Sequence, residues 1–223
     1  MDDRPNVIVF DVNETLSDTT ALAQSFEDVG APGHLAATWF GQILRDGFAL
    51  TSTGDNVSFA TIAASLLDAT LGSAELTRPV EDAKKTLLGS FARLPLHPDV
   101  APGLTDLATA GFRLITLSNG AFAVAGSLFK AADLSGLWER LLSVDDAPVW
   151  KPGAASYRWA AERCNVQPSE MMLVAVHPWD IHGAARAGLR TAWVNRSDEA
   201  YPSYFARAEL EVSSVTDLAR QLA

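Results

Sequence analysis

The stretch that decides the fold is Val7-Ile8-Val9-Phe10-Asp11-Val12-Asn13-Glu14-Thr15-Leu16. Four apolar residues, β-branched or aromatic, run into Asp11 without the alternation of a half-buried strand, a pattern that suits a strand covered on both faces of a parallel sheet. Asp11 then stands at the strand's carboxyl end. In open α/β sheets that edge carries the ligand crevice, because the loops there are held by the strands behind them. A reactive carboxylate belongs in such a place.

Working outward, the polar residues ahead of Val7 and the shortness of the apolar run predict neither a signal peptide nor a membrane span, so a reducing cytoplasm is the expected location. Downstream, residues 17–94 carry helical periodicity in three sets: Leu35, Trp39, Phe40, Ile43 and Leu44; Phe59, Ile62, Ala63, Leu66 and Leu67; Val80, Ala83, Leu87, Leu88 and Phe91. At least three helices are predicted, with turn chemistry over 51–56 and 72–75. From Pro95 helix and strand alternate: helices over 100–110, 123–132, 154–164 and 181–187, strands over 113–117, 141–144, 171–176 and 191–194. Alternating βα units imply a parallel sheet with helices on both faces. The expected architecture is therefore α/β, with a Rossmann-like core of residues 1–16 and 97–223 and a helical cap of residues 17–96 inserted after the first strand.

Composition narrows the function classes. The chain has 223 residues, 48% hydrophobic and 20% charged, an ordinary globular balance too apolar for disorder. Its formal charge is −10 and it holds no Lys/Arg-rich run, which argues against nucleic acid or an anionic membrane as partner. Cys164 is the single cysteine, so no intrachain disulfide can form, and its helical setting reads as packing.

Three further strand ends or following loops carry polar groups: Ser118-Asn119, Lys151 between Trp150 and Pro152, and Asp180 in His177-Pro178-Trp179-Asp180. An Asp11 that is to attack an sp³ carbon must stay ionised, and Lys151 within reach would lower its pKa and orient it. Ser118 and the backbone amides after Asp11, at Val12 and Asn13, can donate to an anionic substrate. Asp180 is a second carboxylate able to activate water in a hydrolytic step.

With Thr15 four residues after Asp11, these residues resemble, in order, the four motifs of the haloacid dehalogenase superfamily, and the resemblance spans essentially the whole chain. Phosphatases of that superfamily use a second Asp two residues after the nucleophile and another acid shortly before the residue matching Asp180. Here those places hold Asn13 and the carboxylate-free stretch 175–179. Asn cannot supply a proton to a leaving alkoxide, and Mg²⁺ needs hard oxygen ligands.

What remains resembles the L-2-haloacid dehalogenases, which work without a metal. The resemblance implies no cofactor, a small 2-haloalkanoate as anionic substrate, an ester of Asp11 as intermediate, and a homodimer. Thr15, Ser118, Asn119, Lys151, Tyr157, Trp179 and Asp180 match that family's site, with Asn119 and Trp179 expected to cradle the departing halide.

Departures are also visible. A cap Arg close behind a Trp helps that family bind halide, yet Trp39-Phe40 here leads into Gly41, and the next Arg is Arg45. Ala175 and His177 stand where the family has Ser and Asn. His177 is left between a turn residue and a donor to halide or water. Phe40 and Phe48 read first as cap core and second as walls of the pocket; Trp150, Trp159 and His182 read as structural. The rival readings are a phosphatase acting on a small phosphate ester and a binding protein that has kept the fold.

Overall fold

A computed structural model describes residues 4–72 and 74–222. Its centre is a parallel sheet in the order β3-β2-β1-β4-β5-β6, formed by β1 (Val7–Phe10), β2 (Arg113–Ser118), β3 (Trp138–Ser143), β4 (Met171–Ala175), β5 (Arg190–Val194) and β6 (Leu210–Val212). All four β1 residues are fully buried, as the unbroken apolar run requires. β1 pairs on one side with β2, Phe10 opposite Thr116, and on the other with β4, Phe10 opposite Val174. The ends of β2 and β4 therefore flank Asp11.

Nine helices are described: α1 (Ala21–Asp28), α2 (Leu35–Thr53), α3 (Phe59–Leu71), α4 (Val80–Phe91), α5 (Val100–Thr109), α6 (Phe122–Ala131), α7 (Ala154–Cys164), α8 (Pro178–Ala187) and α9 (Val215–Leu222). One face of the sheet packs with α5, α6 and α9 around Phe10, Leu114 and Val174; the other packs with α7 and α8 around Val9, Ile115 and Leu173. The parallel sheet covered on both faces is the architecture expected.

Helices α1 to α4 share a third apolar core, centred on Trp39, which Val144 and Trp150 enter from the βα loop after β3. The chain leaves and re-enters the sheet layer at neighbouring points. The Asp18 amide donates to Pro95 at 2.8 Å and the His97 amide to Leu16 at 3.0 Å.

Three elements were not predicted. α1 is two turns long and buries only Leu22 and Phe26, too few positions to set a period. β6 has three residues on the sheet edge. α9 closes over α5. β3 also begins earlier than its apolar residues suggest, because Glu139 and Arg140 are exposed on an edge strand, where Arg113 reaches Glu139 at 2.6 Å. α8 starts at Pro178, in the first-turn position that suits proline, so Asp180 lies in its first turn.

Candidate active site

Asp11 is pinned before its side chain is considered. Its amide donates to the Val174 carbonyl at 3.0 Å, continuing the β1–β4 ladder past the strand end. One carboxylate oxygen, Oδ2, accepts from the Thr15 hydroxyl at 2.7 Å, and that hydroxyl in turn accepts the Val176 amide at 3.1 Å. The other oxygen, Oδ1, accepts from Lys151 Nζ at 2.9 Å. Lys151 is wholly enclosed and also donates to Asp180 Oδ2 at 2.6 Å, while Asp180 Oδ1 accepts from the Tyr157 hydroxyl at 2.5 Å. Buried charges survive only when paired and hydrogen-bonded, and each group here has its partners.

The two carboxyls are pushed apart in acidity. Burial alone would raise Asp11, but the Lys151 ammonium, helped by His177, outweighs it and holds the carboxyl far below the usual carboxylate range. Burial raises Asp180, against Lys151, and the charge of Asp11 raises it further. Lys151 feels the penalty of burial, yet Asp11 and Asp180 keep it above its ordinary value. Burial and the Asp180 charge push the Tyr157 phenol well up, so it stays a donor. Two carboxyls with separated acidities can take different parts, and Asp11 is the more acidic of the two.

Close packing fixes the frame. Gly183 on α8 lies where a Cβ would fall 2.7 Å from the Tyr157 hydroxyl and 2.6 Å from the Pro152 ring, so only glycine lets α8 bring Asp180 this near. Asn119 donates through Nδ2 to the Lys151 carbonyl at 3.1 Å and accepts the Lys151 amide at 3.0 Å. Its amide, expected at the halide, is thus engaged in holding the lysine's main chain. Asp180 is present as expected but fully buried, with both oxygens taken, so it meets water only by releasing Lys151 or Tyr157.

Above the sheet end lies a cavity of about 220 Å³. Val12, Asn13 and Ser118 line it from below, Phe59, Ala63 and Phe91 from the helices above. No lysine or arginine is among its described lining residues. Ser118 Oγ accepts the Gly120 amide at 2.9 Å, which leaves the hydroxyl proton to be donated. Phe40, expected at the substrate, stands one layer back, 6.3 Å from the Phe59 ring and 6.2 Å from that of Phe91, with its remaining edge toward Glu14 and Thr19. Its place in the aromatic core of the helices explains the displacement.

Gly41 looks out to solvent, with nothing within 4 Å of a built Cβ, and Arg45 is an exposed residue paired with Asp46 at 2.8 Å. Neither one supplies a cation here.

The imidazole of His177 occupies the far side of Asp11. Its Nε2 lies 2.7 Å from Glu14 Oε2, and its Nδ1 lies 3.2 Å from Asp11 Oδ2, at an angle too oblique for a regular hydrogen bond. Burial disfavours its charge, but the Asp11 and Glu14 carboxylates prevail and raise it to about 9. Trp179 stacks on this ring at 4.9 Å and meets Phe48 of α2 edge-on at 4.9 Å, so a helix of the upper layer touches the site loop.

Glu14 was not anticipated. Its backbone is left-handed, φ 64°, a costly state for glutamate that aims the side chain back at His177. The only signal in the sequence was an acid three residues past Asp11 together with a histidine in the fourth motif. The residues read as structural are so placed: Trp150 stacks on Phe59 and donates to Val57, and His182 accepts the Ala206 amide.

An ionised carboxylate at the carboxyl end of the central strand, braced by a buried lysine and roofed by helices, is the arrangement of α/β hydrolases that work through a nucleophilic aspartate. Comparison with known proteins narrows the class. The family model of haloacid dehalogenase-like hydrolases matches residues 5–188, and the chain belongs to that family. It is 31% identical to (S)-2-haloacid dehalogenase 1 of Pseudomonas sp. (strain CBS-3), over 96% of this chain and 95% of that one. It is 30% identical to (S)-2-haloacid dehalogenase 4A of Burkholderia cepacia, over 98% and 95%. A crystal structure described as a dehalogenase with intermediate complex superposes with a TM-score of 0.92 at 28% identity, covering 100% of this chain and 99% of that one. No described helix is long and apolar enough to cross a membrane.

Proposed function

We propose that this protein is a hydrolytic dehalogenase of small 2-haloalkanoic acids, acting through an ester of Asp11 without a metal. The observation that carries the reading is the Asp11 carboxylate itself, ionised and held by Lys151 and Thr15, with an apolar cavity that begins at the residues following it, Val12 and Asn13. The names of the relatives above point the same way.

In this reading one Asp11 oxygen attacks C2 and expels halide; water then cleaves the ester at the aspartyl carbonyl, giving the 2-hydroxy acid and restoring Asp11. Ser118, with Val12 and Asn13 beside it, receives the substrate carboxylate. Lys151 holds Asp11 ionised, and Tyr157 and Asp180 hold Lys151. Trp179, stacked on His177, is the aromatic group offered to the departing halide, while Asn119 holds the Lys151 main chain. Helices α1 to α4, residues 17–96, serve as the cap over a core of residues 1–16 and 97–223.

A cytoplasmic homodimer belongs to the same reading, and sedimentation of the purified chain tests the dimer. For the reaction, halide release from 2-chloropropionate without added metal is expected for the wild type and a drop of about 10³-fold or more for Asp11→Asn. A single turnover in H₂¹⁸O places label in Asp11. Release undiminished in the variant, or label found only in the product, would sink the proposal.

A further inference from the structure

Asp180 is walled in with both oxygens committed, whereas on the opposite side of Asp11 stands His177, part of whose side chain faces a groove open to water. The groove, of about 540 Å³, is lined by Glu14, His177, Pro178, Asn195 and Arg196 among others. The side chain of His177 keeps 13% of its surface exposed there, against 0% for Asp180. We infer that His177, oriented by Glu14, is the base that activates the hydrolytic water, which reaches the Asp11 ester from this groove. The inference rests on the ester mechanism proposed above and assigns its second step.

The geometry supplies a base together with the group that orients it. Glu14 Oε2 at 2.7 Å fixes the Nε2–H and the ring plane, and Nδ1 lies on the Asp11 side of the ring, 3.2 Å from Oδ2. In the free enzyme the imidazolium lies between two carboxylates, and so it is charged. Alkylation of Asp11 removes one of those charges. The ring then favours its neutral form, one proton is released, and the imidazole becomes a base only once there is an ester to hydrolyse.

The steps balance. Water gives a proton to Nδ1 while its oxygen bonds to Cγ of the ester. The tetrahedral intermediate expels the alkoxide, which takes that proton and leaves as the 2-hydroxy acid. The new carboxylic acid of Asp11 passes its proton to Nδ1, restoring the carboxylate and the imidazolium. One water is consumed, and one halide and one proton are released. The charged or titratable groups around His177 are Asp11 and Glu14 in contact, Lys151 and Asp180 behind Asp11, and Asp18, His97, Arg196 and Glu199 along the groove.

Rapid-quench intact mass spectrometry with 2-chloropropionate separates the two steps. His177→Asn is expected to release one equivalent of halide, to accumulate the Asp11 ester, and to hydrolyse it about 10²- to 10⁴-fold more slowly than the wild type. Glu14→Gln keeps a hydrogen-bonding partner but removes a charge that favours the imidazolium, so the rise of ester hydrolysis with pH moves to lower pH. That shift is not expected of a merely structural residue, and it decides the question alone if His177→Asn does not fold. A wild type that turns over while His177→Asn clears its ester at an unchanged rate overturns the inference alone, as does an unmoved pH profile in Glu14→Gln. A wild type that forms no ester overturns the inference and the reading beneath it together.

Discussion

The sheet end and the helical layer above it are stabilised by opposite means. Around Asp11 the important contacts are few, short and charged, and each polar atom has one or two named partners. In the helical layer they are many, apolar and interchangeable: Trp39 lies 6.0 Å from Phe26 and 5.9 Å from Phe91, and Phe59 stacks on Phe91 at 5.1 Å. Losing one charge below leaves another unpaired in a dry site, while losing one ring above leaves a cavity that its neighbours partly fill. The lower region therefore fixes chemistry and the upper one shape. The two meet at Trp150, which belongs to the aromatic core and is the residue before Lys151.

Lys151→Met breaks the comparison hardest. It leaves Asp11 and Asp180 facing one another with no cation between them, so dehalogenation is expected to fall by about 10²-fold or more, and stability at neutral pH by about 3–5 kcal/mol. The stability deficit should shrink on acidification, as one carboxyl takes up a proton. Urea titrations at several pH values, alongside halide assays, measure both.

A smaller effect is expected where the regions touch. Gly47 of α2 sits so close to Trp150 that a Cβ would lie 2.4 Å from its ring. Gly47→Ala is expected to cost about 1–3 kcal/mol by overpacking and to lower activity through the displaced Trp150. Gly41→Ala, on the same helix but facing solvent, is expected to stabilise by up to about 1 kcal/mol and leave activity unchanged. Thermal unfolding and halide release of the two variants side by side would blur the distinction if both behaved alike.

The mildest expectation concerns pH. His177 is raised from its ordinary 6.5 to about 9, so its contribution is fully present below 6.5 and is lost as pH rises through 9. Stability of the wild type should therefore decline over that window by on the order of 1 kcal/mol more than that of His177→Asn, as read from chemical denaturation at pH 6 and 9.5. Parallel curves would show that the imidazolium adds nothing to the fold.

What was legible follows the same division. The buried strands announced themselves because a run such as Met171–Ala175 has no other use in a chain of this size, and the polar residues at their ends were conspicuous against that background. Asp11, Thr15, Lys151, Tyr157 and Asp180 lie in one hydrogen-bonded network, and Ser118 lines the cavity beside it. Trp39 and Phe91 revealed their helices by period, whereas the two-turn α1 and the three-residue β6 are too short for any period to show.

The partners chosen by single side chains were not legible. Nothing in spacing tells that Asn119 turns to the Lys151 backbone, that Glu14 takes a left-handed backbone to meet His177, or that Phe40 packs behind Phe59. Those outcomes depend on contacts that exist only once distant segments are folded together.

The central position of β1 has a consequence for biogenesis. Its two neighbours begin at Arg113 and Met171, so the first strand to be synthesised must wait for most of the chain before it is paired on both sides. Helices α1 to α4 emerge next, and apart from Val144, Ala147, Trp150 and Trp159 their core is drawn from one continuous segment. While the ribosome is still making β2, that segment can already collapse, while Val7–Phe10 stays an apolar, unpaired strand. The hazard for a nascent chain of this fold is therefore at its beginning, and slow translation between 90 and 170 would prolong it.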